Sequence, residues 1–265
     1  MKDSVLSHLS PDYPWRDRFQ FFPELDSTND RLVQLARQGA PHGTVLLADR
    51  QTGGRGRLGR SFDSPAGMGI YMSILLRPDC GPGELMHLTC ATGVAMCDAL
   101  EKVTGLRPGI KWTNDLVLGK RKLAGILTQL SLTPQGQVDW AIVGVGVNCL
   151  QAPADFSPAI QATAGSLAMA LGHGVDRGAV AAAMMEGFWS LSDSLLTRRP
   201  ELLARYRRDC ITIGQDVSLV RGPEVRHGHA LDVDDQGALV VEFEDGTREA
   251  VNAGEVSVRG MYGYV

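Results

Sequence analysis

At 265 residues the chain can bury one sizeable core and still carry a small second domain. Its 44% apolar and 21% charged residues are those of an ordinary soluble globular protein, with no internal repeat or low-complexity tract. A net charge of −4 excludes an overall basic field for a long nucleic acid, and the longest apolar stretches, such as Ile142 to Val147, are far too short to cross a bilayer.

The first segment, Met1 to Ser10, contains Lys2, Asp3 and His8 and has no apolar signal region, so secretion is not expected. Met1 to Arg18 shows no clear period and reads as an arm, over residues 1–20, packed by Tyr13 and Trp15. It is too short for a helix-turn-helix domain of its own. Ser27, Thr28, Asn29 and Asp30 then precede Leu32, Val33, Leu35 and Ala36, a helix start with side-chain oxygens beside free amides. Thr44 to Ala48 reads as a buried strand leading into a Gly/Arg segment, and Gly69 to Leu76 as another strand. From Glu84 to Val103 the apolar residues recur at helical spacing, with Gly105 as the cap. Cys90 and Cys97 share a face of that helix. With Cys80, Cys149 and Cys210 they make an odd set without short paired spacing, which predicts buried free thiols in a reducing cytoplasm.

Ile110 to Trp112 and Leu116 to Leu118 look like strands flanking Thr113-Asn114-Asp115, and Gly119-Lys120 offers a hairpin turn before a strand over Leu123 to Leu130. Val138 to Val147 is one more buried strand. Ala152 to Ala164, rich in proline, alanine and glutamine, reads as a loop that moves. A helical region over Ala179 to Arg208 breaks near Arg199-Pro200. From Ile213 the texture changes to short alternating strands at Val217–Val220, His229–Val233, Leu239–Phe243, Glu249–Val251 and Val256–Val258, which predict a separate β domain.

Three blocks carry chemistry. Gly53-Gly54-Arg55-Gly56-Arg57-Leu58-Gly59-Arg60 holds four glycines and three arginines in eight residues. Glycines let backbone amides approach an anion, and guanidinium forks match paired oxygens. The bland alternative is a solvated RNA-binding basic loop, against which stand its single occurrence, its place between strands and the acidic protein around it. The second block, Lys111-Trp112-Thr113-Asn114-Asp115 followed by Lys122-Leu123-Ala124-Gly125-Ile126-Leu127, concentrates two lysines, a carboxylate and an amide on one hairpin; lysines simply standing in water are its bland reading. In the third, Gly144-Val145-Gly146-Val147-Asn148, glycines in an apolar strand leave room for a flat group or mark a β-bulge.

In this order and spacing, with Ser27-Thr28-Asn29 and Gln51, the blocks resemble the catalytic domain of biotin–protein ligases, and the resemblance runs over roughly residues 20–262. It implies an α+β fold with a mixed, largely antiparallel central sheet, class II synthetase-like, over 21–210, and a small SH3-like barrel over 211–265. It implies a two-step reaction in which biotin and ATP give biotinyl-5′-AMP, and a lysine of a biotin carboxyl carrier protein then accepts the biotin. Magnesium comes with the ATP, without a dedicated protein metal site. By the same resemblance Lys122, Arg55, Lys111 and Asp115 are the catalytic candidates, with Lys122 at the reacting centre and the role of Asp115 open. Ser27, Thr28, Asn29, Gln51, Gly54, Arg55, Lys122, Gly125 and Gly146 would form the biotin site. Arg55, Gly56, Arg57, Arg60, Lys111, Asn114 and Asn148 would face the nucleotide.

Two departures stand out. Thr113 occupies a position where the family usually has proline, and Gln161 to Leu167 offers no tryptophan to cover the adenine. The short N-terminus predicts no DNA binding, no membrane association is expected, and a homodimer is left open. A lipoate–protein ligase, or a non-enzymatic RNA- or protein-binding module, are the alternatives.

Overall fold

The computed structural model describes residues 1–252 and 257–260 of the chain. Alternation along the strands decides the architecture. In strand β3 (Gly69–Leu76), Ile70, Met72, Ile74 and Leu76 enter one core, whereas Leu75 joins a second cluster on the opposite face. A sheet with two apolar faces needs cover on both.

The arm holds a short helix, α1 (Lys2–His8), which the sequence did not announce; seven residues with two serines need tertiary packing to stay helical. The arm is packed as expected by Tyr13 and Trp15, each 5% exposed, with the Tyr13 hydroxyl donating to the Met185 carbonyl at 2.9 Å. Strand β1 (Phe19–Leu25) was also unforeseen. It contains Pro23 and pairs only with β2 (Val45–Gln51), in parallel, at the sheet edge where a proline is tolerated. Helix α2 (Thr28–Arg37) starts where expected, with Ser27 Oγ accepting the Asp30 amide at 3.4 Å.

Helix α3 (Leu88–Thr104) ends at Gly105 in the left-handed region, φ 71°, its amide bonded to the Glu101 carbonyl. Pro82–Leu85 forms a separate 3-10 turn before it, so the helix begins later than its apolar spacing predicts. Strands β4 (Gly109–Lys111), β5 (Asp115–Leu118), β6 (Arg121–Leu132) and β7 (Val138–Asn148) follow. The β5–β6 hairpin turns at Gly119 and Lys120, both at positive φ, as the Gly-Lys pair predicts. The seven-stranded sheet runs β1-β2-β3-β7-β6-β5-β4, antiparallel except for β1–β2.

Helices α4 (Leu167–Leu171), α5 (Arg177–Ser194) and α6 (Arg199–Asp209) complete this layer. The break at Arg199-Pro200 is real, with proline at the start of α6. Helix α4 was not foreseen; Ser166 caps it at 3.1 Å. Helices α3, α5 and α6 supply residues to the main core, and α2 alone covers the smaller cluster of Leu32, Ala36, Leu46, Leu75, Trp140 and Ile142. The α2 face is therefore covered along part of its length only.

A second, five-stranded antiparallel sheet contains β8 (Asp216–Arg221), β9 (Glu224–Val233), β10 (Leu239–Phe243), β11 (Arg248–Val251) and β12 (Ser257–Gly260), in the order β11-β10-β9-β8-β12. Of the strand expected at Val256–Val258, Val256 lies outside the described residues. The β9–β10 turn docks on the first layer: the Gly237 carbonyl accepts from Trp112 Nε1 at 3.0 Å.

Candidate active site

On the sheet face that α2 leaves open, period-two alternation presents Tyr71 and Ser73 of β3, Gly144, Gly146 and Asn148 of β7, and Gly125 and Leu127 of β6. Together with the Gly/Arg segment and the chain after β7 they enclose a cavity of about 820 Å³. Register orders it. Leu127 pairs with Gly144 and Gly125 with Gly146, so one end lies at Gly144 and the other beyond Lys122 and Asn148.

At the Gly144 end the polar groups are tightly interlocked. Gln51 Oε1 accepts from the Thr28 amide at 2.9 Å and its hydroxyl at 3.0 Å, while Gln51 Nε2 donates to Ser64 Oγ at 3.0 Å. Ser73 Oγ lies 2.7 Å from Thr28 Oγ1 and 2.5 Å from Asn29 Oδ1. Asn29 Nδ2 donates to the Leu127 carbonyl and to Gln129 Oε1, so its side chain ties α2 to β3 and β6. Only a glycine admits this. A Cβ at Gly144 would lie 2.1 Å from Asn29 Oδ1.

The Gly/Arg segment is folded, not a solvated tail. Phe62 returns an amide to the Gly54 carbonyl and Gly56 to the Arg60 carbonyl, around a 3-10 turn at Arg57–Gly59 in which Leu58 takes φ 55°. This hairpin aims Arg57 inward, where Nη1 donates to Asn114 Oδ1 at 2.9 Å. Burial lowers the Arg57 pKa from its ordinary value, and nearby Asp115 opposes that change. Arg55, 59% exposed at its side chain, pairs with Asp30 at 2.9 Å. The segment also delivers Phe62, whose ring occupies the room left by Gly146: a Cβ there would lie 2.5 Å from it.

Past the middle, Lys122 Nζ meets Asp115 Oδ1 at 2.7 Å across the β5–β6 pair. Asn114 Nδ2 donates to the Ile126 carbonyl, fixing the bend that carries Lys111 and Asp115. The bend is backed by Thr113, whose carbonyl accepts from the Tyr206 hydroxyl at 3.3 Å. At the far end the Lys122 backbone bonds to Thr163 and Gly165, so the chain after β7 closes over this end. That chain, expected as a loop, includes a 3-10 turn at Pro153–Asp155 and buries Phe156 to 6% exposure.

Of the residues assigned from sequence to the catalytic, biotin and nucleotide sets, all but Gly54 line the cavity. Gly54 stands behind it: a Cβ would meet the Phe62 carbonyl at 2.3 Å and Ser64 Oγ at 2.7 Å, so its bareness lets the segment fold back on Gln51. Lining residues that the sequence did not single out include Phe62, Tyr71, Gln151, Phe156 and Ile160. Gly144 also lines the cavity, as part of the glycine block read from the sequence. Among the described residues, no group of three or more His, Cys, Asp or Glu is arranged to hold a metal ion, and no helix is long and apolar enough to cross a membrane. All five cysteines are buried and free.

Comparison with known proteins agrees with this geometry. The sequence model of the biotin/lipoate A/B protein ligase family matches residues 21–148, and that of the biotin protein ligase C-terminal domain matches 212–259. The biotin–[acetyl-CoA-carboxylase] ligase of Mycobacterium tuberculosis is 33% identical, over 91% of this chain and 89% of its own. That of Paracoccus denitrificans is also 33% identical, over 89% and 98%. The structure of the biotin protein ligase from Aquifex aeolicus in complex with biotin and ATP aligns at 30% identity and a TM-score of 0.74, covering 91% of this chain and 98% of that one. With two domain matches in order and full-length relatives at this identity, the chain belongs to the biotin–protein ligase family.

Proposed function

We infer that the chain is an ATP-dependent biotin–protein ligase. The biotin carboxylate attacks the α-phosphorus of ATP and expels pyrophosphate. The neutral amine of a lysine on a biotin carboxyl carrier protein then attacks the acyl carbon of biotinyl-5′-AMP; AMP leaves and the amide sheds its proton. The observation that carries this reading is the order of groups along one cavity. Hydrogen-bonding Thr28 and Gln51 stand at one end, Lys122, Arg57 and Lys111 in the middle, and a half-apolar recess at the other.

That order suits the two reactants. A ureido ring needs matched donors and acceptors, which Ser27, Thr28 and Gln51 supply, with Gly125 and Gly146 as wall and Asn29 holding the wall together. A carboxylate and a triphosphate repel one another, so their approach requires cations at the junction. Lys122 is the group for the reacting centre, and Asp115 is its positioning partner, holding the ammonium in line. Arg57, steered by Asn114, faces phosphate beside Lys111 and Arg60, and Gly56 brings its bare backbone near. Arg55, half out in solvent, closes over the anion by leaving Asp30. Magnesium would come with the nucleotide and supply charge neutralisation at its phosphates; of the carboxylates lining the cavity, Asp63 and Asp155 would be available to it, Asp115 being paired with Lys122.

The catalytic unit is assigned to 21–210 and the barrel to 211–265, with a reducing cytoplasm as the compartment that suits five free thiols. We assign no DNA binding to the arm, because its single seven-residue helix is docked against α5. The lipoate reading shares the family of the catalytic domain, but the match of the C-terminal domain is to biotin ligases. Mass spectrometry of the protein incubated with biotin and ATP tests the assignment: bound biotinyl-5′-AMP is expected, and its absence when both substrates are bound would contradict it.

A further inference from the structure

The cavity end beyond Lys122 contains a polar atom that the fold leaves unanswered. Gln151, 2% exposed, lines the cavity, and its Oε1 is buried without a hydrogen-bond partner. Its orientation follows from its neighbours. The Gly165 carbonyl can only accept, so the Asn148 atom facing it at 3.0 Å is Nδ2. Asn148 Oδ1 therefore turns to Gln151, and the Gln151 atom at 3.3 Å must be the donor Nε2. That leaves Oε1 as the free acceptor. The backbone is pinned as well, since the Gln151 carbonyl accepts from Ser166 Oγ at 2.6 Å.

A buried acceptor without a donor is costly unless a partner arrives, and buried polar groups in folded proteins are nearly always paired. Its surroundings limit what the partner is. Gln151 follows the outer end of β7, about 13 Å of strand from Gly144 to Asn148 away from the Thr28–Gln51 pole, at the rise of an extended chain. The nearby wall includes Phe156, Ala159, Ile160 and Ala164, an apolar lining that suits a flat heteroaromatic ring better than the hydroxyls of a ribose.

We propose that Gln151 reads the nucleotide base, its Oε1 accepting a hydrogen bond from the exocyclic amine of adenine. A base carrying an oxygen at that position would oppose acceptor to acceptor. This inference rests on the ligase reading and makes Gln151 a specificity-determining residue of its nucleotide end.

The test compares ATP with purine riboside triphosphate, which lacks only the amine, in biotin-dependent pyrophosphate exchange, for wild type and Gln151→Met. Wild type should lose at least about tenfold in kcat/KM with the amine-less nucleotide, the worth of one buried hydrogen bond. Gln151→Met should narrow that ratio to near one while keeping wild-type affinity for biotin. If the variant does not fold, equal kcat/KM for the two nucleotides in wild type alone overturns the inference. So does a ratio unchanged in a folded Gln151→Met. Absence of biotin-dependent exchange with ATP in wild type would instead remove the ligase reading, and this inference with it.

Discussion

At the residue scale the wall of the cavity is a set of preset pairs. Lys122 stands on Asp115, Arg57 on Asn114 and Arg55 on Asp30. Each pair fixes a cation at the cavity wall, and in the proposed reaction those cations stand near the junction before the anions meet. Replacing Lys122 by alanine should slow formation of biotinyl-5′-AMP on the order of 10²–10³-fold, with the protein folded because this side chain is already partly exposed. Rapid-quench measurement of adenylate formation checks this; a rate within about threefold of wild type would remove Lys122 from the reacting centre. A different residue contributes to acid sensitivity. His87 is fully buried, its Nε2 2.9 Å from the Leu195 carbonyl, and burial first, then the Arg199 charge, lowers its pKa. A depressed folded pKa means that the unfolded chain binds the extra proton. His87 thus contributes stability that is complete above about pH 6.5 and lost as pH falls through the folded value. In urea unfolding between about pH 7 and 5, the stability of wild type should fall more steeply than that of His87→Gln, which cannot titrate. Equal slopes would contradict this.

At the element scale, strand alternation was legible and the chain's use of it was not. Glycines at 144 and 146 and the asparagine at 148 could be seen to share a face, and the helix start at Ser27, the cap at Gly105 and the turn at Gly119-Lys120 followed from local chemistry. Helix α1, strand β1 and helix α4 did not, because their stability comes from what they pack on: seven residues around Val5, an edge strand with Pro23, and a five-residue helix capped by Ser166. The room beside Gly146 was also read only in part. It first admits Phe62, more than eighty residues earlier beside the Gly/Arg hairpin, so hairpin and strand fit one another before either meets a ligand. Gly146→Ala should therefore displace that ring. Overpacking of this kind costs about 1–3 kcal/mol, and we expect biotin affinity to weaken by about tenfold or more with the fold retained. Calorimetric titration with biotin measures it, and unchanged affinity would mean that the ring and the ligand do not share a wall.

At the scale of the whole molecule, the two sheets were foreseeable as separate textures, yet their junction was not. Trp112 sits between Lys111 and Asn114, and its indole donates to Gly237 in the β9–β10 turn, while its backbone amide donates to Thr212 Oγ1 at 2.8 Å. Arg207 adds a bond to the Val233 carbonyl. The bend at Thr113 and Asn114 is thus held from behind by the β9–β10 turn and by Thr212, contacts across 125 and 100 positions that no local pattern encodes. The same holds for the far recess: the absence of a tryptophan from Gln161 to Leu167 was visible in the sequence, whereas Phe156, Ile160 and Gln151 became a wall only when the chain after β7 paired with Lys122.

If this one cavity joins biotin to the AMP moiety of ATP, pyrophosphate must exchange only when biotin is present. Exchange of labelled pyrophosphate into ATP, measured with biotin, with lipoate and with neither acid, tests it most directly. Exchange should depend on biotin and stay at background with lipoate. Exchange driven by lipoate alone, or none with either acid, would contradict it.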